Sequence, residues 1–271
     1  MKAFYRPKWH LAKWFNFSRP VHIDIELTTQ CNMNCPICYK QSSKIEKGDM
    51  NKFLQGKILA ELSDLGAYSV KLNWRGDGLI NSKVIMKALR CTGLWVMVNT
   101  RLNMKIEDDL YIDELKVSLD TVDGLNAQII RNINKLRKRQ VVKIQRKIYD
   151  GIESLEQFKF GLIEKLGDRE NIEIRESRAI QRNDSDIFQG EKRERQYCAQ
   201  PSRRLVIGWN GKVFACCCAY EEPDELYLGD VTKQTLKEIW QGKKRKELVE
   251  KLKKGIYEGV CKNCVSRDSY K

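Results

Sequence analysis

Histidine is almost absent: the 271 residues hold two, His10 and His22, and neither lies beside a cysteine cluster, which counts against mixed Cys/His zinc sites. No apolar run approaches the roughly 18 residues that a membrane-spanning helix needs. The first twenty residues, Met1 to Pro20, are basic and aromatic but lack the continuous apolar core of a secretory signal, so a cytoplasmic location is the expectation. Internal repeats and low-complexity tracts are missing. The aromatic signatures of RRM-type RNA binding are missing too, so nucleic acid is not the expected partner. What is left is the composition of a globular chain, 42% hydrophobic and 32% charged, long enough for one large domain or two smaller ones.

The net charge is +14. Such a field attracts anionic partners, among them acidic peptides, nucleotides and RNA. The lysines are scattered, however, and the densest run, Lys243 to Lys246, falls on a predicted helix, as solvated helix faces do.

Cysteine is the residue in surplus, with ten in the chain. In a reducing compartment these read as metal ligands or free thiols, not disulfides. Cys31, Cys35 and Cys38 follow an apolar run with the spacing C-x3-C-x2-C. Iron–sulfur clusters are held by thiolates, normally four to a four-iron cubane, so a set of three leaves one iron open to a small molecule. Structural zinc wants four ligands, often as two C-x2-C pairs, and no fourth Cys or His is adjacent.

Short apolar strands alternate with amphipathic helices from Val21 to about Ser177. Strands are predicted at 22–27, 69–73, 94–98, 115–119, 141–145 and 172–175, and helices at 51–65, 82–90, 123–137 and 155–166. Six strands with helices between most of them imply an α/β parallel sheet, doubly wound or a partial barrel, with ligands at the C-terminal strand ends. Residues 183–197 read as a polar linker. Beyond it, 204–208 and 212–216 flank Trp209-Asn210-Gly211, a hairpin signal, and 232–253 reads as a helix broken near Gly242. The N-terminal Trp9, Trp14 and Phe15 suit either a membrane-surface helix or a helix packed over the open edge of a barrel.

The triad with its neighbouring aromatic Tyr39 resembles the signature of radical S-adenosylmethionine (SAM) enzymes, although the family more often places the aromatic just before the last Cys, where this chain has Ile37. The resemblance runs from about Val21 to Ser177. It implies a partial (β/α)6 TIM-like barrel over 21–182, after an N-terminal extension over 1–20. It also implies a 4Fe–4S cluster on Cys31, Cys35 and Cys38, with SAM on the open iron. Tyr39 would lie near the adenine. Arg75-Gly76-Asp77-Gly78 stands where the family has its GGE-like motif, so Gly76 and Asp77 are expected at the SAM amino group, with Asp in place of the usual Glu. Asn99 follows the third strand at a loose match to Thr-Asn-Gly. Ser118 is expected at the SAM ribose or carboxylate, and Asp120 either faces substrate or caps the next helix. Arg146, like Arg175, is a candidate for the SAM carboxylate.

Cys198, Cys216, Cys261 and Cys264, with Leu228-Gly229-Asp230-Val231 and Leu236 to Trp240, resemble the auxiliary-cluster half of SPASM or twitch extensions, a small β-hairpin plus helix over 198–271. Four cysteines ligate one auxiliary 4Fe–4S cluster, and tetrahedral zinc is the alternative for such a set. Cys217 and Cys218 are surplus. They are either buried thiols or hydrogen donors to a substrate radical, with Cys218 placed ahead of Cys217. Cys91 reads as core. The resemblance implies reductive cleavage of SAM and abstraction of a substrate hydrogen, first of all to modify a peptide by epimerisation or crosslinking. The alternatives are dehydrogenation of a small polyol or sugar and, remotely, a non-enzymatic metal-binding scaffold. An electron donor such as flavodoxin or ferredoxin is the implied partner.

Overall fold

The computed structural model describes residues 5–12, 14–15, 17–33, 38, 45–107, 110–136, 140–148, 153–178, 197–262 and 264. Cys35, Tyr39 and most of the linker expected at 183–197 lie outside these. Six strands run parallel: β1 (His22–Ile25), β2 (Ser69–Lys71), β3 (Trp95–Thr100), β4 (Glu114–Ser118), β5 (Val141–Ile148) and β6 (Ile172–Arg178). A seventh, β7 (Arg204–Ile207), pairs in parallel with the other side of β1, and β8 (Lys212–Phe214) and β9 (Tyr227–Asp230) follow antiparallel. The result is one nine-stranded sheet in the order β6-β5-β4-β3-β2-β1-β7-β8-β9, a partial barrel left open between its ends. The C-terminal region thus continues the barrel sheet: the expected hairpin is present as β7 and β8, and Tyr227–Asp230 adds a third strand against β8.

The helices follow from local chemistry. In α2 (Lys52–Leu65) the buried Leu54, Ile58, Leu62 and Leu65 recur at helical spacing. Asn51 caps its first turn by accepting from the Leu54 N–H, and Gly66, at φ 68°, ends it in the left-handed conformation. After α3 (Lys83–Leu89), the next helix, α4 (Ala127–Lys135), starts later than the apolar spacing suggests. Its cap is Asn126, so Asp120 is not the helix cap. Ser154 and Gln157 form a capping box on α5 (Leu155–Leu166). Beyond the short α6 (Gln200–Arg203), the C-terminal helix breaks at the extended Gly242 into α7 (Leu236–Gln241) and α8 (Lys243–Lys253).

Along each strand the side chains alternate faces. Ile23, Ile25, Val70, Leu72, Val96, Val98, Leu115, Val117, Val142 and Ile144 are fully buried in the core. The opposite parity lines the concave side: Asp24 and Glu26, Lys71 and Asn73, Met97 and Asn99, Lys116 and Ser118, Lys143 and Gln145, then Arg175. The barrel is therefore apolar outside, under its helices, and polar within. α1 (Tyr5–Leu11) packs at the strand-start end, where the Trp9 ring meets His22 edge-on and lies under Arg203 and Arg204. It closes the end of the barrel away from the cysteines and does not cover the open edge. No helix among the described residues is long and apolar enough to cross a membrane.

Candidate active site

The loop after β1 carries Cys31 and Cys38, both half-buried, to the C-terminal mouth of the barrel. Its path is fixed by contact with the turn after β2. A Cβ added to Gly76 would lie 2.3 Å from the Thr28 carbonyl oxygen and 2.6 Å from that of Gln30, so only glycine fits. The Asp77 N–H donates to the same Gln30 carbonyl at 2.9 Å. The buried Asp77 carboxylate then joins β2 to β3: Oδ2 accepts from Thr100 Oγ1 at 2.8 Å and from the Arg101 N–H at 3.2 Å, and Oδ1 accepts from the Leu79 N–H at 3.0 Å. Asn99 and Ser118 stand on the inner face at the ends of β3 and β4, and Asp120 lies 3.8 Å from Arg101.

Arg146 does not face this space. It shares the parity of Val142 and Ile144, lies over the Phe158 ring of α5, and donates to the Asp120 and Glu153 carbonyls and to Glu176. Its guanidinium ties together the loops after β4 and β5 and is not available to a SAM carboxylate. Arg175 has the inward parity and is exposed, paired with Glu173 at 2.9 Å.

Sequence reasoning missed the group that connects the two cysteine sets. Glu26, fully buried at the end of β1, holds Arg75 through a two-pronged pair at 2.7 and 2.5 Å. Arg75 stacks on Trp74 and reaches the C-terminal region, donating to Glu222 at 2.9 Å and to the Tyr220 carbonyl at 3.2 Å. Burial opposes its charge, but the Glu26 carboxylate raises its pKa further above the ordinary value. Trp74 Nε1 donates to the Cys217 carbonyl at 2.8 Å. The signal in the sequence was a charged residue, Glu26, at a strand position flanked by Ile25 and Leu27.

The C-terminal thiols come together. The sulfurs of Cys216, Cys217 and Cys218 lie within 4.8 Å of one another. Cys216 is near Cys198, and the Cys218 thiol is hydrogen-bonded to Cys264. Cys261 sits in a 3-10 turn, Gly259–Cys261, that Glu225 anchors through the Val260 N–H. Thiols from three segments, at Cys198, Cys216 to Cys218 and Cys264, therefore come together, the kind of donor set that an iron–sulfur cluster requires. Cys217 is within electrostatic reach of Arg204 and Asp24 on the barrel's inner wall. The hydrogen bonds that Cys216 and Cys218 make to its sulfur, with the attraction of Arg204, lower its pKa. Cys91 is exposed, not core.

Residues 198–265 match the sequence profile of SPASM, an iron–sulfur cluster-binding domain. The chain is 29% identical over 103 residues to the uncharacterized protein MJ0804 of Methanocaldococcus jannaschii; the match takes in 37% of this chain and 32% of that protein, so the chain spans about a third of that curated relative. Its fold superposes on BtrN in complex with AdoMet and 2-DOIA with a TM-score of 0.63 at 17% identity, over 92% of this chain and 94% of BtrN. It superposes on Streptococcus suis SuiB bound to S-adenosylmethionine with a TM-score of 0.61 at 16% identity, over 94% of this chain and 74% of SuiB. For anSMEcpe with bound AdoMet and Cp18Cys peptide the TM-score is 0.58 at 13% identity, over 93% and 88% of the two chains. The chain thus has the fold shared by these three proteins, and its residues 198–265 match an iron–sulfur cluster-binding domain.

Proposed function

We propose that the chain is a radical SAM enzyme whose substrate lies in the polar lumen of the partial barrel. The observation that carries this reading is the loop of Cys31 and Cys38, seated by the glycine-only contact at Gly76 over the C-terminal ends of the parallel strands. Cys31, Cys35 and Cys38 would hold a 4Fe–4S cluster with SAM, and Cys198, Cys216, Cys261 and Cys264 an auxiliary cluster. When bound, these groups supply reductive cleavage of SAM to a 5′-deoxyadenosyl radical that removes a substrate hydrogen. Asn99 and Ser118 present polar side chains to SAM. Asp77 is a positioning residue that fixes the turn beneath it, and Asp120 faces the substrate from the rim.

Peptide modification is the first reading of the outcome. Its support is the pair of surplus thiols; in this reading Cys217, within electrostatic reach of Arg204 and Asp24 on the inner wall, is the hydrogen-atom donor ahead of Cys218, which is hydrogen-bonded to Cys264. SuiB has been seen with its precursor peptide SuiA, which shows a peptide bound to a protein of this fold. Dehydrogenation of a small polyol is the second reading. Its support is the near end-to-end match in length to BtrN, which was seen with 2-DOIA.

Reconstituted, reduced protein incubated with SAM and candidate substrates in heavy water separates the two. One deuterium gained at carbon without other mass change indicates hydrogen return from a thiol. Loss of two hydrogens indicates oxidation. Absence of 5′-deoxyadenosine under any condition rejects both.

A further inference from the structure

Lys116 stands on the inner face of β4 among charges that are all partnered except its own. In the sheet register it lies between Asn99 of β3 and Lys143 of β5. Lys143 is paired with Glu114, Lys71 with Asp24 at 2.7 Å, and Arg175 with Glu173 at 2.9 Å. Asp24 is also held by Arg204 at 2.9 Å. The charges felt most strongly at Lys116 are those of Lys71, Lys143 and Arg175, against the single carboxylate of Glu114. Among the described residues no carboxylate pairs with the Lys116 amine. A half-buried ammonium surrounded by three other cations is an unfavourable arrangement in an unliganded protein. It becomes favourable when an anion enters.

We infer that Lys116 is a specificity-determining residue that binds a carboxylate of the substrate inside the barrel. The substrate is then an acidic one, a peptide with Asp or Glu at or beside the modified position. This names the substrate class for the site proposed above and rests on that reading's placing of substrate in the lumen. The position fits: Lys116 lies two residues before Ser118, deeper in the lumen than the mouth where the Cys31 loop sits. Burial, and then repulsion from Lys71, lowers the Lys116 pKa to about 8, and an incoming carboxylate relieves both effects. The other source of a carboxylate is SAM itself, and the test separates the two.

The probe is N-acetyl-L-glutamate N-methylamide, with the glutamine analogue as its neutral control. Each is titrated calorimetrically into reconstituted protein loaded with SAM. The glutamate probe binds more tightly than the glutamine probe. K116Q weakens it by about tenfold or more, the usual size of a lost charge-assisted hydrogen bond. K116R retains most of the binding, K254Q on the exposed end of α8 changes nothing, and SAM affinity is the same in all four proteins. Equal binding of the two probes, or none by either, overturns the inference. So does a K116Q variant that loses SAM affinity while keeping the probe, since the amine then serves the SAM carboxylate. Lys116-dependent probe binding in a protein that makes no 5′-deoxyadenosine supports this inference and rejects the proposed enzyme.

Discussion

Trp74 and Cys217 are joined across the two halves of the molecule: the indole Nε1 of Trp74 donates to the Cys217 carbonyl at 2.8 Å. Trp74 immediately precedes Arg75, whose guanidinium is clamped by Glu26 at the end of β1. The turn beneath the first cysteine loop and the thiol cluster of the C-terminal region are therefore parts of one hydrogen-bonded unit. Truncating Arg75 to Ala leaves Glu26 buried without its partner. R75A is expected to lose about 3–5 kcal/mol of stability, as removal of one member of a buried ion pair does. W74F keeps the ring and loses one hydrogen bond, at about 1 kcal/mol. Urea unfolding midpoints of the two variants measure the difference.

Gly76 and Gly56 make a matched pair. An added Cβ at Gly76 meets the Thr28 and Gln30 carbonyls, whereas at Gly56, within α2, it meets nothing within 4 Å. G76A should displace the cysteine loop and lower bound iron by about half, one of two clusters. G56A should gain about 0.5–1 kcal/mol from helix propensity and leave iron unchanged. Iron analysis and thermal melts read both.

Cys217 and Cys218 are predicted to part company. C217A retains its iron and still forms 5′-deoxyadenosine, but its product made in heavy water carries no deuterium at the modified carbon. C218A loses its hydrogen bond to Cys264 and shifts the spectroscopic signature of the auxiliary site. The reverse pattern would restore the order drawn from sequence, with Cys218 first.

Asp24 is fully buried between Lys71 and Arg204. Burial opposes its ionisation, but the two cations outweigh that and hold its carboxyl well below the ordinary range. A folded pKa below the unfolded one gives stability that is fully present above pH 3.8 and is lost as the pH falls further. D24N should cost about 3–5 kcal/mol at neutral pH. The two unfolding curves should converge as the solution becomes more acidic than pH 3.8.

Lys116 carries the opposite sign. Its pKa falls from 10.5 to about 8, so the folded protein binds fewer protons than the unfolded one between these values, and stability rises with pH there. Without substrate, K116M should be more stable than the wild type at pH 7 by on the order of 1 kcal/mol. The gap should close as the pH rises through 8 toward 10.5.

Much of the scaffold was legible because apolar side chains at regular spacing bury themselves in the predicted place. α5 occupies the predicted span, and Gly242 breaks the last helix as expected. The start of α4 was misplaced because an Asn cap at 126 outcompetes the apolar spacing that begins at Asp123. β9 was hidden because it is four residues long, includes Gly229, and pairs with β8 across a bulge, which carries no periodic signal. Arg146 was assigned to the wrong face although alternation with Val142 and Ile144 already placed it under α5. The charge of Glu26 between apolar neighbours hinted at a buried partner, but that the partner is Arg75 could not be read, since the pair joins residues 49 apart through a contact that only the fold creates.

The parallel pairing of β1 with β7 has a consequence for how the protein is made. His22 waits for a neighbour, Arg204, that lies about 180 residues further along the chain. Until the ribosome has passed that point, the strand leading into the first cysteine loop has one open edge, and Glu26 lacks the Trp209 N–H that it binds in the finished protein. The first iron site can therefore be enclosed only after Cys198, the first thiol of the second, has been synthesised. Cluster delivery to this protein is expected to be post-translational, and truncation before β7 should leave Cys31 and Cys38 accessible to thiol reagents.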